Sequence, residues 1–517
     1  MIRLSRRTLR ALALLTLLVP TAAFLLTWVR PLVSVPSVMA VAAAFVLYIR
    51  ADRRPVRALP GQAPSESFDC SEDAFSVSRL SLCAVIACAL LWTFFSGIGG
   101  MFYQNEDHYG RNAIFHDLLN NAWPVYFDGT TCALTYYIAY WLVPALFGKA
   151  AAALLGADVL WGAANAALFA ETVWFLVLIF LLLLSLVRAK SLPTVCLALL
   201  CFVMFSGMDG LMAAYQDDWN NQIEWWAGMY QFSSHTTCLF WVYNQSTPAW
   251  LATLLLLSKP SDIGSFALIG LAALPFSPMP FLGLFVYFVA LALVMLIRLI
   301  RSHGVRGGMG CILRACLTGR NLLACLAIAP SFLLYFAANR ASSDAPLRAD
   351  VLVYSLADPK RFMRLVLFWL IEFGALSLVL GVRYRRDPLF LATQFALLIS
   401  PVLQIGYKFD FSMRFSIPGL TVLSVYAIRF LLDAVTRREN RYAACVLSLL
   451  LLIGSITPLL EFERGAYKVM LAGTNFMYSD PYGTVMNPDA DTFNFVCEDV
   501  TVSAFYRHLA RKGPSQP

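Results

Sequence analysis

The chain has 517 residues, of which 59% are hydrophobic and 14% charged, with a mean hydropathy of +0.68 and a formal net charge of +8. Soluble proteins carry about 45–50% apolar and about 25% charged residues, so a soluble globular protein is excluded. The positive excess sits mostly in short loops, which reads as an orientation signal in a membrane protein and leaves nucleic-acid binding without support.

At the N-terminus, Arg3, Arg6, Arg7 and Arg10 precede an apolar run that reaches Trp28, and a second run follows from Pro31. A signal peptide has this look, but the length of the run and its successor favour an uncleaved first span. A span needs about 20 apolar residues, and Lys and Arg favour the cytoplasmic side. The basic loops at 3–10, 50–57, 188–190, 298–320, 383–386 and 437–441 are therefore placed inside. Spans are predicted near 11–28, 32–49, 79–98, 191–208, 248–258, 262–276, 281–298, 321–337, 362–382, 388–404, 416–432 and 442–460. Residues 132–187 must cross an odd number of times. Either 134–147 lies in the interface, or the long 162–187 stretch is broken in two. The expected fold is an all-α polytopic transmembrane helix bundle of about 13 spans, or about 15 under the second arrangement. The bundle fills 1–460. Extracytoplasmic loops are expected at 99–131, 209–247, 338–361 and 405–415, with 461–517 as a short extracytoplasmic tail.

The first large loop crowds Glu106, Asp107, His108, Arg111, His116 and Asp117 together directly after a span. Charge at a membrane boundary is costly unless it meets water or serves a purpose. Adjacent carboxylates point in different directions, so one can face a cavity while the other caps or pairs. A general base needs a carboxylate within hydrogen-bond reach of a hydroxyl or amine. The plain alternative is a solvated loop, or an N-cap for a helix over about 109–119. On that helix His108, Arg111 and Phe115 share a face.

The next rich segment holds Asp217 and Glu224 among Trp219, Trp225, Trp226 and Tyr230. Sugars are bound by such mixtures of acids and aromatic faces, and an amphipathic helix on the bilayer has the same composition. His235 alone is more often a structural hydrogen-bonder than a ligand. Further on, Lys408, Asp410 and Arg414 lie between two spans. Arg suits bidentate phosphate contact at headgroup level, against the alternatives of an Asp410–Arg414 pair or of snorkelling to ordinary lipids. Lys360, Arg361 and Arg364 make a weaker case of the same kind. The twelve cysteines form no CxxC pair, so a metal cluster or redox motif is not expected. Walker A, GxGxxG, HExxH and GxSxG motifs are missing, which leaves soluble nucleotide chemistry unsupported.

On these residues the chain resembles the GT-C superfamily of integral-membrane glycosyltransferases. Glu106-Asp107 opens a large loop after the 79–98 span, a helical 111–119 stretch follows, and a bundle of about a dozen spans comes after it. It also resembles a group of uncharacterised bacterial polytopic membrane proteins, through 105–117 with Trp123-Pro124, 223–241 and 410–418. It departs from the usual GT-C pattern in carrying the acidic loop after the third span rather than the first.

The resemblance implies amphipathic juxtamembrane helices in the first large loop, and a polyprenyl-phosphate sugar as donor. It implies Asp107, or Glu106, as the base that activates the acceptor, and Arg414 with Lys408 as the donor-phosphate clamp. His108, Arg111, Asp117, Asp217, Glu224 and His235 are the expected substrate contacts. No cofactor is expected, and a divalent cation is not required. The partners are a lipid-linked sugar, an extracytoplasmic acceptor (glycan, lipid or protein) and the bilayer. The expected location is a bacterial inner membrane with the site facing the periplasm. The main rival is a transporter or flippase of a lipid-linked or amphiphilic substrate, and a third reading is a non-catalytic scaffold. Cys132 and Cys238 fall on the same side of this threading, and a disulfide between them is left open.

Overall fold

The computed structural model describes residues 2–53, 74–219, 222–339, 357–403, 410–472, 481–487 and 493–512. These residues form an all-α membrane helix bundle. Among them, eight helices are long and apolar enough to cross a membrane: Arg6–Trp28, Pro31–Asp52, Ala157–Val187, Pro278–Cys316, Gly319–Ala337, Pro359–Tyr384, Ile417–Arg437 and Arg441–Met470. Shorter apolar helices stand with them: Arg79–Phe95, Ala139–Leu155, Leu192–Val203, Ile263–Phe276 and Pro388–Val402. Leu32, Leu154 and Leu326 are 75–89% exposed on these helices. Outward-facing leucines at this density suit hydrocarbon rather than water.

The interior is aromatic. Trp92 stacks between Trp250, at 5.6 Å, and Phe180, at 6.0 Å. Its indole N–H donates to the Thr236 hydroxyl at 3.2 Å, which satisfies the polar end of a buried ring. Buried charge is paired. Asp52 accepts from Arg10 at 2.9–3.1 Å and from Lys259 at 2.9 Å. That cluster ties the first two helices to the turn after Leu257, and a second ion pair joins Asp262 of that turn to Arg320 in the Gly319–Ala337 helix.

Three features differ from the hydropathy threading. The long stretch before Arg188 is not broken: Leu160–Val187 is one helix, packed against Ala139–Leu155. The short 248–258 span is the second half of a longer helix, His235–Leu257, with non-helical backbone at Val242. Its first half carries Thr236, Thr237, Asn244 and Gln245, all buried. Hydropathy counts such residues as loop because it cannot see that their polar groups face inward. A helix from Ile456 to Ala472 also runs through the expected start of the tail.

The last described residues fold back onto the start of the chain. Val496–Cys497 pairs antiparallel with Ala133–Leu134. The Arg30 amide donates to the Leu509 carbonyl at 2.8 Å, and the Arg511 amide to the Trp28 carbonyl at 2.9 Å. The tail also meets the Glu106–Asn120 helix, where the Val485 amide donates to Asp117 at 2.9 Å. At Gly110 an added Cβ would lie 2.8 Å from the Phe495 ring, so only glycine lets the tail approach this closely.

Candidate functional site

The acidic loop folds as a helix, Glu106–Asn120, that begins earlier than the sequence suggests. Asn105 is its N-cap residue, and Glu106 and Asp107 occupy the first turn, where carboxylates are favoured by the helix dipole. Both are exposed. His108, Arg111 and Phe115 are all buried on the inner side. The inner face is anchored to the break in the His235–Leu257 helix. There the Phe240 carbonyl accepts from the Asn105 amide at 2.9 Å and lies 3.2 Å from His108 Nε2. Burial pushes the His108 imidazole down to about 3, with the Arg111 charge adding to the effect. His108 is therefore a neutral strut, stacked at 5.6 Å on Tyr243.

Arg111 Nη2 donates to Asp107 Oδ2 at 2.9 Å, from a side chain that is 6% exposed to one that is 44% exposed. The guanidinium lies 5.8 Å from the Tyr243 ring. Its Nε and Nη1 are buried and meet no acceptor among the described residues. A short helix elsewhere in the chain, Asp410–Phe415, repeats the arrangement. Arg414 Nη1 donates to Asp410 at 2.6 Å, and its buried Nε likewise has no acceptor among the described residues. This helix is held from behind by the Pro278–Cys316 helix, whose Gly283 touches the Phe415 carbonyl so closely that any Cβ would collide.

Tyr136 lies within electrostatic range of both pairs. Burial pushes its phenol up from the ordinary value; Arg414 and Arg111 oppose this, and Asp410 and Asp107 add to it. The same ring therefore senses both Asp–Arg pairs. Phe495 of the tail closes over it at 4.4 Å.

The other predicted residues separate from this cluster. Asp117 is buried under the tail, accepting from the Val485 amide at 2.9 Å and the Thr484 hydroxyl at 3.1 Å. Asp217 is an exposed residue at the C-cap of Asp209–Gln216. His235 starts its helix with Nδ1 2.8 Å from the Phe202 carbonyl. Glu224 is 1% exposed and accepts from the Ser233 hydroxyl, the Ser234 amide and Gln231 Nε2 at 2.7–3.2 Å. Burial pushes its carboxyl up to about 8, with the Asp209 charge adding to it. Lys408 lies outside the described residues. Cys132 and Cys238 are both free thiols.

Two contributors escaped the sequence reading. Tyr136 lay in an aromatic run that looked interfacial. The pairing of Asp209 with Glu372, hydrogen-bonded carboxyl to carboxyl, joins residues remote in sequence. Among the described residues, no group of three or more His, Cys, Asp and Glu side chains is arranged to hold a metal ion. What the arrangement offers is buried guanidinium donors that meet no acceptor among the described residues, on Arg111 beside the exposed Asp107 carboxylate and on Arg414 beside Asp410. No protein-family model, curated protein or solved structure matches the chain.

Proposed function

We propose that the chain is a membrane glycosyltransferase of GT-C type. It moves a sugar from a polyprenyl-phosphate donor to an extracytoplasmic acceptor, across a bundle of about 13 spans whose site faces the periplasm of a bacterial inner membrane. The observation that carries this reading is the set of buried N–H donors on Arg111 and Arg414 that meet no acceptor among the described residues, on two guanidiniums that both act on Tyr136. Buried guanidinium donors are costly to leave unmet, and a phosphate is the anion that their fork geometry fits best.

The chemistry follows from that placement. The donor phosphate takes the free donors of Arg111 and Arg414. Their charge stabilises the leaving phosphate oxygen as its bond to the anomeric carbon breaks. Asp107 keeps Oδ2 on Arg111, and its Oδ1 receives the proton of the acceptor hydroxyl or amine as that group attacks the same carbon. Attack opposite the leaving phosphate inverts the anomeric centre. The exposed Glu106 stands next to Asp107 as an acceptor contact. In this scheme Arg111 is a phosphate ligand rather than a sugar contact.

The rival transporter reading draws support from one feature. Asp209 and Glu372 form a buried carboxyl pair, and Glu171 has a buried carboxylate oxygen with no partner among the described residues. Such groups carry protons in transporters. Purified protein in vesicles, supplied with a labelled polyprenyl-phosphate hexose and bacterial envelope acceptors, separates the two. Label released from the lipid and joined to acceptor supports transfer. Intact labelled lipid that merely changes leaflet supports transport and contradicts transfer.

A further inference from the structure

Glu224 and Arg414 come from different parts of the chain and are linked through one turn. Its carboxylate Oε2 accepts from Gln231 Nε2 at 3.2 Å and from the Ser233 hydroxyl at 2.7 Å, while Oε1 accepts from the Ser234 amide at 2.9 Å. These three donors lie within a four-residue turn. Its two oxygens together fix the turn's shape as a side chain with a single acceptor oxygen could not. The same turn presents the Gln231 backbone carbonyl to the Ser412 hydroxyl at 3.3 Å. Ser412 sits two residues before Arg414 in the six-residue Asp410–Phe415 helix. The Ser412 carbonyl is held in turn by the Ser400 hydroxyl at 3.1 Å.

A helix of six residues has little stability of its own. Its orientation must come from contacts like these. Arg414 keeps one nitrogen on Asp410, and the direction of its remaining donors depends on where the helix backbone sits.

We infer that Glu224 is a positioning residue for the anion site: through Gln231 and Ser412 it holds the Asp410–Phe415 helix so that the free donor of Arg414 faces the bound phosphate. This rests on the phosphate reading given above. It also reassigns Glu224 from a sugar contact, since its carboxylate is enclosed and already accepts three hydrogen bonds. Replacing one carboxylate oxygen by an amide nitrogen would set a donor against Gln231 Nε2 and the Ser233 hydroxyl, and the turn would have to rearrange.

The test uses the full chain in nanodiscs and a short-chain prenyl monophosphate as the probe. Glu224→Gln is expected to weaken probe binding about tenfold, the size of one lost hydrogen bond. Ser412→Ala should give a loss of the same kind. Ser412→Thr, which keeps the hydroxyl, should restore binding, and a merely structural role would not single out the hydroxyl in this way. Adding Glu224→Gln to Arg414→Gln should cost nothing beyond Arg414→Gln alone, because Glu224 acts through that arginine. If Glu224→Gln does not fold, the two Ser412 variants carry the test. Wild-type affinity in Glu224→Gln and Ser412→Ala, beside a loss in Arg414→Gln, overturns the positioning role and leaves the phosphate site standing. Additive losses in the double variant overturn it as well. A wild-type protein that does not bind the probe overturns both readings.

Discussion

Arg111 gives one nitrogen to Asp107, one helical turn away at 2.9 Å, and keeps two buried N–H groups that meet no acceptor among the described residues. The pair is asymmetric: the carboxylate is half exposed and the guanidinium is enclosed. A surface ion pair of this spacing contributes little to stability. The enclosed donors are the informative part, since burying them unmet is unfavourable unless something else binds there.

Asp107→Asn separates a base from a mere ion-pair partner. Transfer should fall by at least about 100-fold, the usual share of a general base. Binding of a prenyl monophosphate should be retained or tightened, because removing a carboxylate leaves Arg111 more positive. Steady-state transfer assays and equilibrium binding on the same preparation check this. A parallel fall in both would make Asp107 a structural residue.

Arg111→Lys keeps the charge and loses the planar fork. A buried charge-assisted hydrogen bond is worth about 1.5–3 kcal/mol, so probe affinity should drop by about 10–100-fold. Calorimetry in nanodiscs would measure it. Wild-type affinity in the lysine variant would mean that the unused donors do not meet the phosphate.

His108 gives a pH signature. Its folded pKa is depressed from 6.5 to about 3 by burial. The unfolded chain therefore binds more protons between those values. Its share of stability is complete above about 6.5 and is lost as pH falls toward about 3. Replacing it with Gln should lower the thermal midpoint at about pH 7.5, and the gap to wild type should narrow at about pH 5. A gap that widens on acidification would contradict a buried neutral imidazole.

Asp117 holds the tail. Asp117→Ala removes the acceptor from the buried Val485 amide, at a cost of about 1–3 kcal/mol. Hydrogen exchange at Val485 should accelerate relative to the rest of the Glu106–Asn120 helix. An unchanged rate would show that the tail is held by other contacts.

The long apolar helices were legible because composition alone reports a membrane environment, and a helix over about 109–119 was legible behind its acidic cap candidates, although it starts earlier, at Glu106. The first half of His235–Leu257 was not, since Thr236, Asn244 and Gln245 turn inward, and a hydropathy window records their polarity but not their direction. Glu106, Asp107, Arg111 and Arg414 stood out as charges beside apolar runs. That both pairs act on Tyr136 did not, because Asp107, Tyr136 and Arg414 are remote in sequence and no local spacing encodes their relation. Asp117 and Glu224 looked like ligands for the same reason that Asp107 did. Only burial separates carboxylates that hold the chain together from one that faces outward.

The most direct measurement is a double-mutant cycle on prenyl monophosphate binding with Arg111→Gln, Arg414→Gln and the pair. If one phosphate bridges both guanidiniums, each single change weakens binding by about tenfold or more, and the double variant loses clearly less than the sum. Strictly additive losses, or a loss from only one of the two arginines, would show that Arg111 and Arg414 do not share a ligand, and would contradict the proposed site.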